Sequence, residues 1–152
     1  MNAPAAALLA VAIGLATLAV AASVVPEPIL PGSLRWDSPP GNSLVKGAWV
    51  IGSERGEGMY AFRVTLGAGG RIPPHTHPDA RYTTVLSGTL YVGFGTTADD
   101  SQMMAIPPLG VYVAPAGQPH YLWARDGDVV YQEGGIGPTG TDWQRPPPES
   151  KH

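Results

Sequence analysis

The chain has 152 residues, a net charge of -3, 14% charged residues and no cysteine. That is enough for one domain of ordinary size, without the basic patch that nucleic-acid binding needs and without disulfides or thiolate metal ligands. Its 20 glycines and 17 prolines sit among Val, Ile, Tyr and Trp instead of low-complexity sequence, a composition that predicts an all-β protein with many tight turns.

The first segment, MNAPAAALLAVAIGLATLAVAASVV, carries no charged side chain, and Ala19-Val20-Ala21 fits an A-x-A cleavage pattern. Residues 1–21 are therefore expected to form an apolar signal helix, although no Lys or Arg precedes the run. An uncleaved membrane anchor is the alternative, since about 20 apolar residues span a bilayer. Either reading exports the remainder, to the periplasm or the medium or to a membrane surface, with membrane contact only through this segment. VPEPILPGS then marks a Pro-rich linker over 22–33.

Residues 34–140 read as one β-barrel. Short runs, LRWD, LVKGAWVIG, MYAFRVTL, RYTTVLSG-TLYVGF, QMMAI, VYVAPAGQPHYLWA and VVYQEGG, are separated by turn signals. No run sustains a helical apolar period, and the aromatic and β-branched enrichment favours strands. Asp-Gly-Asp at 126–128 is expected to be a hairpin turn, since Asp-Gly suits positive φ. Residues 141–152 are a Pro-rich C-terminal tail, expected to run extended beyond the barrel.

Of four histidines, His152 is terminal. His75 and His77 are two apart and so share a face if the segment is a strand; His120 follows 43 positions later. Imidazole suits Zn, Fe, Cu and Ni, and three such ligands leave coordination positions open, as catalytic sites do. By itself an HxH pair in a loop is more often solvated polar surface than a metal site.

The surroundings change its weight. Gly69 precedes His75 by six positions, Arg81 follows His77 by four, and Gly88 closes the segment; downstream come Gly110, Pro115, Gly117 and His120. In order and spacing these resemble the two motifs of the cupin superfamily. The resemblance implies a double-stranded β-helix, a jelly-roll barrel with a metal inside, and carries the ligand roles to His75, His77 and His120. One divalent ion is implied, iron first, with Mn, Zn or Ni as alternatives. Gly69, Gly88, Pro115 and Gly117 are structural turn residues, the glycines reaching positive φ without penalty and Pro115 and Pro119 stiffening the turn before His120. The family's fourth ligand, a glutamate, does not carry over because Arg81 stands there. The second motif is one residue short between glycine and proline, and Ala124 replaces a frequent asparagine.

Arg81 leaves three readings open. A guanidinium about 4 Å from a divalent ion is repelled by several kcal/mol even at an effective dielectric near 20. It either pairs with an acid, Asp79 or Glu133, or anchors an anionic substrate through its fork, or serves a metal-free anion-binding barrel. Resemblance to three-histidine cupin oxygenases implies dioxygenase-like oxidation of a small oxygen- or carboxylate-bearing molecule. A non-catalytic anion- or sugar-binding module and a metal-dependent isomerase or lyase are the alternatives, and a homodimer is a possible assembly by resemblance. Gln132 or Glu133 is a candidate for the missing oxygen ligand, and Arg63 for a second anion contact. Tyr121, next to His120, is expected on the opposite face; the remaining aromatics read as packing.

Overall fold

The computed structural model describes residues 27–144. The predicted apolar leader 1–21, residues 22–26 of the linker and residues 145–152 lie outside the described residues. Among the described residues no helix is long and apolar enough to cross a membrane.

Ten strands form among the described residues: β1 Val45–Ile51, β2 Gly58–Leu66, β3 Arg71–Thr76, β4 Arg81–Ser87, β5 Leu90–Phe94, β6 Met104–Ile106, β7 Val111–Ala114, β8 His120–Trp123, β9 Val129–Gly137 and β10 Asp142–Trp143. They build two five-stranded sheets, ordered β1-β2-β9-β4-β7 and β10-β3-β8-β5-β6, every pairing antiparallel. The all-β jelly-roll expectation is met in these sheets. Alternation sets the interior: in β4 Arg81, Thr83 and Val85 are buried, and in β9 Val129, Tyr131 and Glu133 are buried. The core between the sheets gathers Val64, Leu66, Val85, Leu90, Val92, Leu122, Val129 and Tyr131. Full burial of each such aliphatic side chain contributes about 1.5–3 kcal/mol. Ala124, wholly buried, belongs to this apolar cluster.

Several local expectations differ from the structure. The Asp-Gly-Asp turn joins β8 to β9, which lie in different sheets, so it is a crossover between sheets and not a hairpin. Asp128 Oδ1 accepts from the backbone N–H of Ala68 at 2.8 Å, so the acid braces a neighbouring loop. The Ser87-Gly88 turn likewise carries the chain from one sheet to the other. LRWD makes no strand; Asp37 forms an isolated bridge to Gly47. Two strands had no clear sequence signal. β3 contains Pro73 and Pro74, which cannot donate to a ladder; its register with β8 skips between Ile72 and His75, a bulge that absorbs them. β10, from the start of the presumed tail, pairs Asp142 with Thr76 and Trp143 with His75.

Gly69, Gly88 and Gly117 all have positive φ, at 77°, 73° and 71°. A Cβ at Gly69 or Gly117 meets nothing within 4 Å, whereas at Gly88 it would collide with the backbone carbonyl of Asp128. Gly69→Ala and Gly117→Ala are therefore expected to cost only the left-handed backbone penalty, roughly 1–2 kcal/mol. Gly88→Ala should cost clearly more. Thermal denaturation of the three variants checks the ranking.

Candidate metal centre

His75 is the penultimate residue of β3 and His120 begins β8, and the two are direct cross-strand partners. His77 lies just past β3, where its carbonyl accepts from Gly117 N–H at 2.8 Å. That bond ties the Pro115–Gly117 turn to the His-Thr-His segment and brings the three rings together. Their centroids are 4.3 Å apart for His75–His120, 4.8 Å for His75–His77 and 5.2 Å for His77–His120. One ligand atom from each lies within 4.8 Å of the others, and all three residues are buried.

The hydrogen bonds settle which nitrogens point inward. His75 Nδ1 is 2.8 Å from Pro73 O, His77 Nδ1 2.6 Å from Gly140 O, and His120 Nδ1 3.1 Å from Gln118 O. A carbonyl only accepts, so each Nδ1 carries the proton and donates. Each Nε2 is then left with a bare lone pair. The Nε2 atoms of His77 and His120 are buried without any protein partner, a costly arrangement unless something else fills the coordination. A carbonyl holding the outer nitrogen is also how metal-ligating histidines are commonly oriented. Burial, foremost, and then the other rings and Arg81 push the His75 pKa down to about 3. Burial followed by Arg81 pushes His77 down to about 4, and burial lowers His120 as well. At neutral pH the three imidazoles are uncharged, the form that ligates a metal.

Arg81 is buried beside them, at 6% exposure, but its charge is answered. Nη1 donates to Glu133 Oε2 at 2.8 Å and Nη2 to Asp79 Oδ1 at 3.0 Å, with Thr139 Oγ1 accepting a further bond from Nη2. Asp79 also receives hydrogen bonds from the hydroxyls of Tyr60 and Thr139. The two carboxyls are driven apart. Burial raises Asp79, yet bonds from Thr139, Tyr60 and Arg81 outweigh it and leave the pKa lowered. Glu133 is raised, its burial outweighing Arg81.

A cavity of about 400 Å³ opens onto this cluster, reached by His75, His77, Arg81, Glu133 and Thr139 among others. Residues 52–136 match the family model described as Cupin. The chain belongs to the cupin family. Germin-like protein 5-1 of Oryza sativa subsp. japonica is 41% identical over 68 residues, 43% of this chain and 30% of that protein. Germin-like protein subfamily 1 member 7 of Arabidopsis thaliana is 38% identical over 68 residues, 42% of this chain and 30% of that one. The chain thus aligns with under a third of the length of these curated relatives. Among solved structures, the polyketide cyclase RemF from Streptomyces resistomycificus superposes with a TM-score of 0.61 at 15% identity, over 74% of this chain and 80% of that one. The DMSP lyase DddQ from Ruegeria pomeroyi DSS-3 does so at 0.57 and 19%, over 70% and 57%. These structural likenesses establish the fold.

Within this cupin the motif residues sit where the spacing placed them, and the expected acid partners of Arg81 are both engaged. Arg63 does not reach the interior. It lies in the opposite phase of β2 from Val64 and Leu66, and its Nε and Nη2 donate to Gln132 Oε1 at 3.1 and 2.7 Å. Gln132 therefore also lies outside, while Glu133 faces in. Tyr121 lies on the outer side of its sheet, over Gly93, with its hydroxyl bonded to the backbone of Asp99. Sequence reasoning missed Tyr60, Thr139 and Gly140. Thr139 and Gly140 belong to Gly137-Pro-Thr-Gly, which reads as turn chemistry, and only the folded chain lays it over the histidines.

Two outcomes are expected. Arg81→Met strands two buried carboxyls and should destabilise the protein by about 3–5 kcal/mol, the usual effect of removing one partner of a buried ion pair. Adding Glu133→Gln to it should recover part of that loss; urea unfolding measures both. The histidines set the second. They titrate near 6.5 when free and lower when folded, His75 and His77 far lower, so above pH 6.5 both states are neutral and nothing is lost. Below it the unfolded chain takes up protons that the folded chain refuses, and stability falls. Glu133 works in the opposite sense, one group against three. The melting temperature of the metal-free protein should fall steadily from pH 6.5 to 5; a flat profile would contradict the assignment.

Proposed function

We propose that this cupin is a metal-dependent enzyme holding one divalent ion through Nε2 of His75, His77 and His120, and acting on a small oxygen- or carboxylate-bearing molecule in a dioxygenase-like oxidation. The observation that carries the reading is the shared tautomer: three Nδ1 atoms donate to backbone carbonyls, so three bare Nε2 atoms converge. When bound, the ion would supply Lewis acidity or redox chemistry. The chain's own residues do the rest. Three neutral ligands leave a divalent ion at a formal +2 with positions free for a substrate oxygen. The Pro73, Gln118 and Gly140 carbonyls keep the rings aimed, and the ion pairs of Arg81 hold its charge in place.

Iron is the first expectation for a dioxygenase-like reaction, with Mn, Zn and Ni compatible with the donor set. A lyase or isomerase reaction is the second reading. An ion with only neutral ligands is a strong Lewis acid, and a polyketide cyclase and a DMSP lyase share this fold. A non-catalytic module using Arg81 as anion anchor has less support, because both Nη atoms already serve Glu133, Asp79 and Thr139. Export, signalled by the apolar leader, is part of the proposal.

Elemental analysis of the mature chain tests the site, with its amino terminus read by intact mass. About one ion per chain, abolished by His77→Ala, and removal of the leader near residue 21 are expected. A chain that takes up none of Fe, Mn, Zn or Ni would sink the metal reading. Oxygen consumption by the iron-loaded protein then separates oxidation from lyase chemistry.

A further inference from the structure

The cavity over the histidines is two-sided in character. Its polar floor is His75, His77, Arg81 and Glu133, whereas Val45, Trp49, Phe62, Val64, Ile72 and Trp143 form apolar walls; the exposed side chains of Arg35, Asp37 and Glu54 also line it. Those walls come from opposite sheets, Trp49 and Phe62 from β1 and β2, Trp143 from β10. Trp49 packs on Phe62 with ring centroids 4.8 Å apart and edge-on to Tyr60 at 5.8 Å. Trp143 stands 5.4 Å from the His75 ring. Gly47 lacks a side chain where a Cβ would run into the Phe62 ring, so β1 leaves that ring its place. The wall tryptophans are not sealed into the core: Trp49 is 37% and Trp143 60% exposed. Large aromatic surface left facing a cavity beside a polar cluster marks a ligand site with an apolar partner missing.

We infer that the cavity takes a molecule with two unlike ends: an oxygen-bearing anionic head and a flat, apolar, ring-sized body. The head follows from the metal reading proposed above. Three neutral ligands cancel none of an ion's charge, and Arg81 is already balanced, so the floor of the loaded site is positive. The body follows from the walls alone. A small, wholly polar anion would leave Trp49, Phe62 and Trp143 facing water, with no interaction in return. A cavity near 400 Å³ lies toward the small end of the range of ligand sites, which suits a body of one or two rings.

The test compares mandelate with lactate, which share a hydroxy-carboxylate head and differ in the phenyl ring. Titration calorimetry on the full chain, its metal content measured first, should show mandelate binding about tenfold tighter or more, the scale for taking a phenyl-sized group out of water. Phe62→Ala and Trp49→Ala should each remove most of that preference while leaving lactate affinity and metal content in place. Should Phe62→Ala fail to fold, half-exposed Trp49 still decides. Equal affinities overturn the inference, and so does a preference that survives in every folded variant, because the ring would then lie elsewhere. If no ion binds, the metal reading falls separately and the comparison is made on the metal-free chain. There a tenfold preference for mandelate supports the ring-sized body, and its absence overturns it.

Discussion

Three imidazoles can share a dry interior only while all are neutral and each ring N–H has an acceptor. That constraint organises the molecule around the histidines. The carbonyls of Pro73 and Gln118, each two residues before its own histidine, and of Gly140, far along the chain, accept the three N–H groups. Pro73 also sits in the bulge of β3, so the irregularity that spoils a regular ladder exposes the carbonyl that orients His75. Gly140 reaches its position because β10 docks on β3, pairing Trp143 with His75. Strand pairing, bulge and terminal segment thus converge on one electronic outcome, three lone pairs aimed at a common point.

Arg81 is the second charge problem in that interior, and it is solved by exchange across neighbouring strands. β4 carries a cation where the family resemblance leads one to expect an acid, and β9 carries Glu133 beside it, with Thr83 and Glu133 in register. Asp79 adds a second acid from the loop before β4. A buried ion pair of this kind is weak evidence for stability, and its value here is placement: carboxylates hold the guanidinium charge at the floor of the cavity. The same network reaches Thr139, so the segment after β9 is fastened by the pair that neutralises Arg81.

Beyond this polar cluster much of the cavity wall is apolar. Phe62 and Val64 continue the core outward along β2, and the tryptophans extend that surface to the mouth. Packing and binding are in this sense one gradient: the apolar interior of the barrel does not close at its open end.

Much of this was legible in the residues. Turn signals and aromatic, β-branched runs predicted the strands, and the family resemblance carried by the motifs around His75, His77 and His120 implied which side chains would meet. Local signals go no further than neighbours in sequence. Asp-Gly-Asp looks like a hairpin because its dihedral preference is local, yet which sheet the next strand joins is decided by packing. Pro73-Pro74 argues against a strand until a bulge absorbs it. The charge of Arg81 was certain from its chemistry, but its direction depended on Glu133 arriving 52 positions later on an adjacent strand. Sequence alone determined the chemistry available, three imidazoles without a thiolate or the usual carboxylate, because residue identity and spacing are local properties. Only the tertiary structure decided their tautomers, the partners of Arg81 and the apolar walls, because each depends on atoms distant in the chain that meet only when the sheets close.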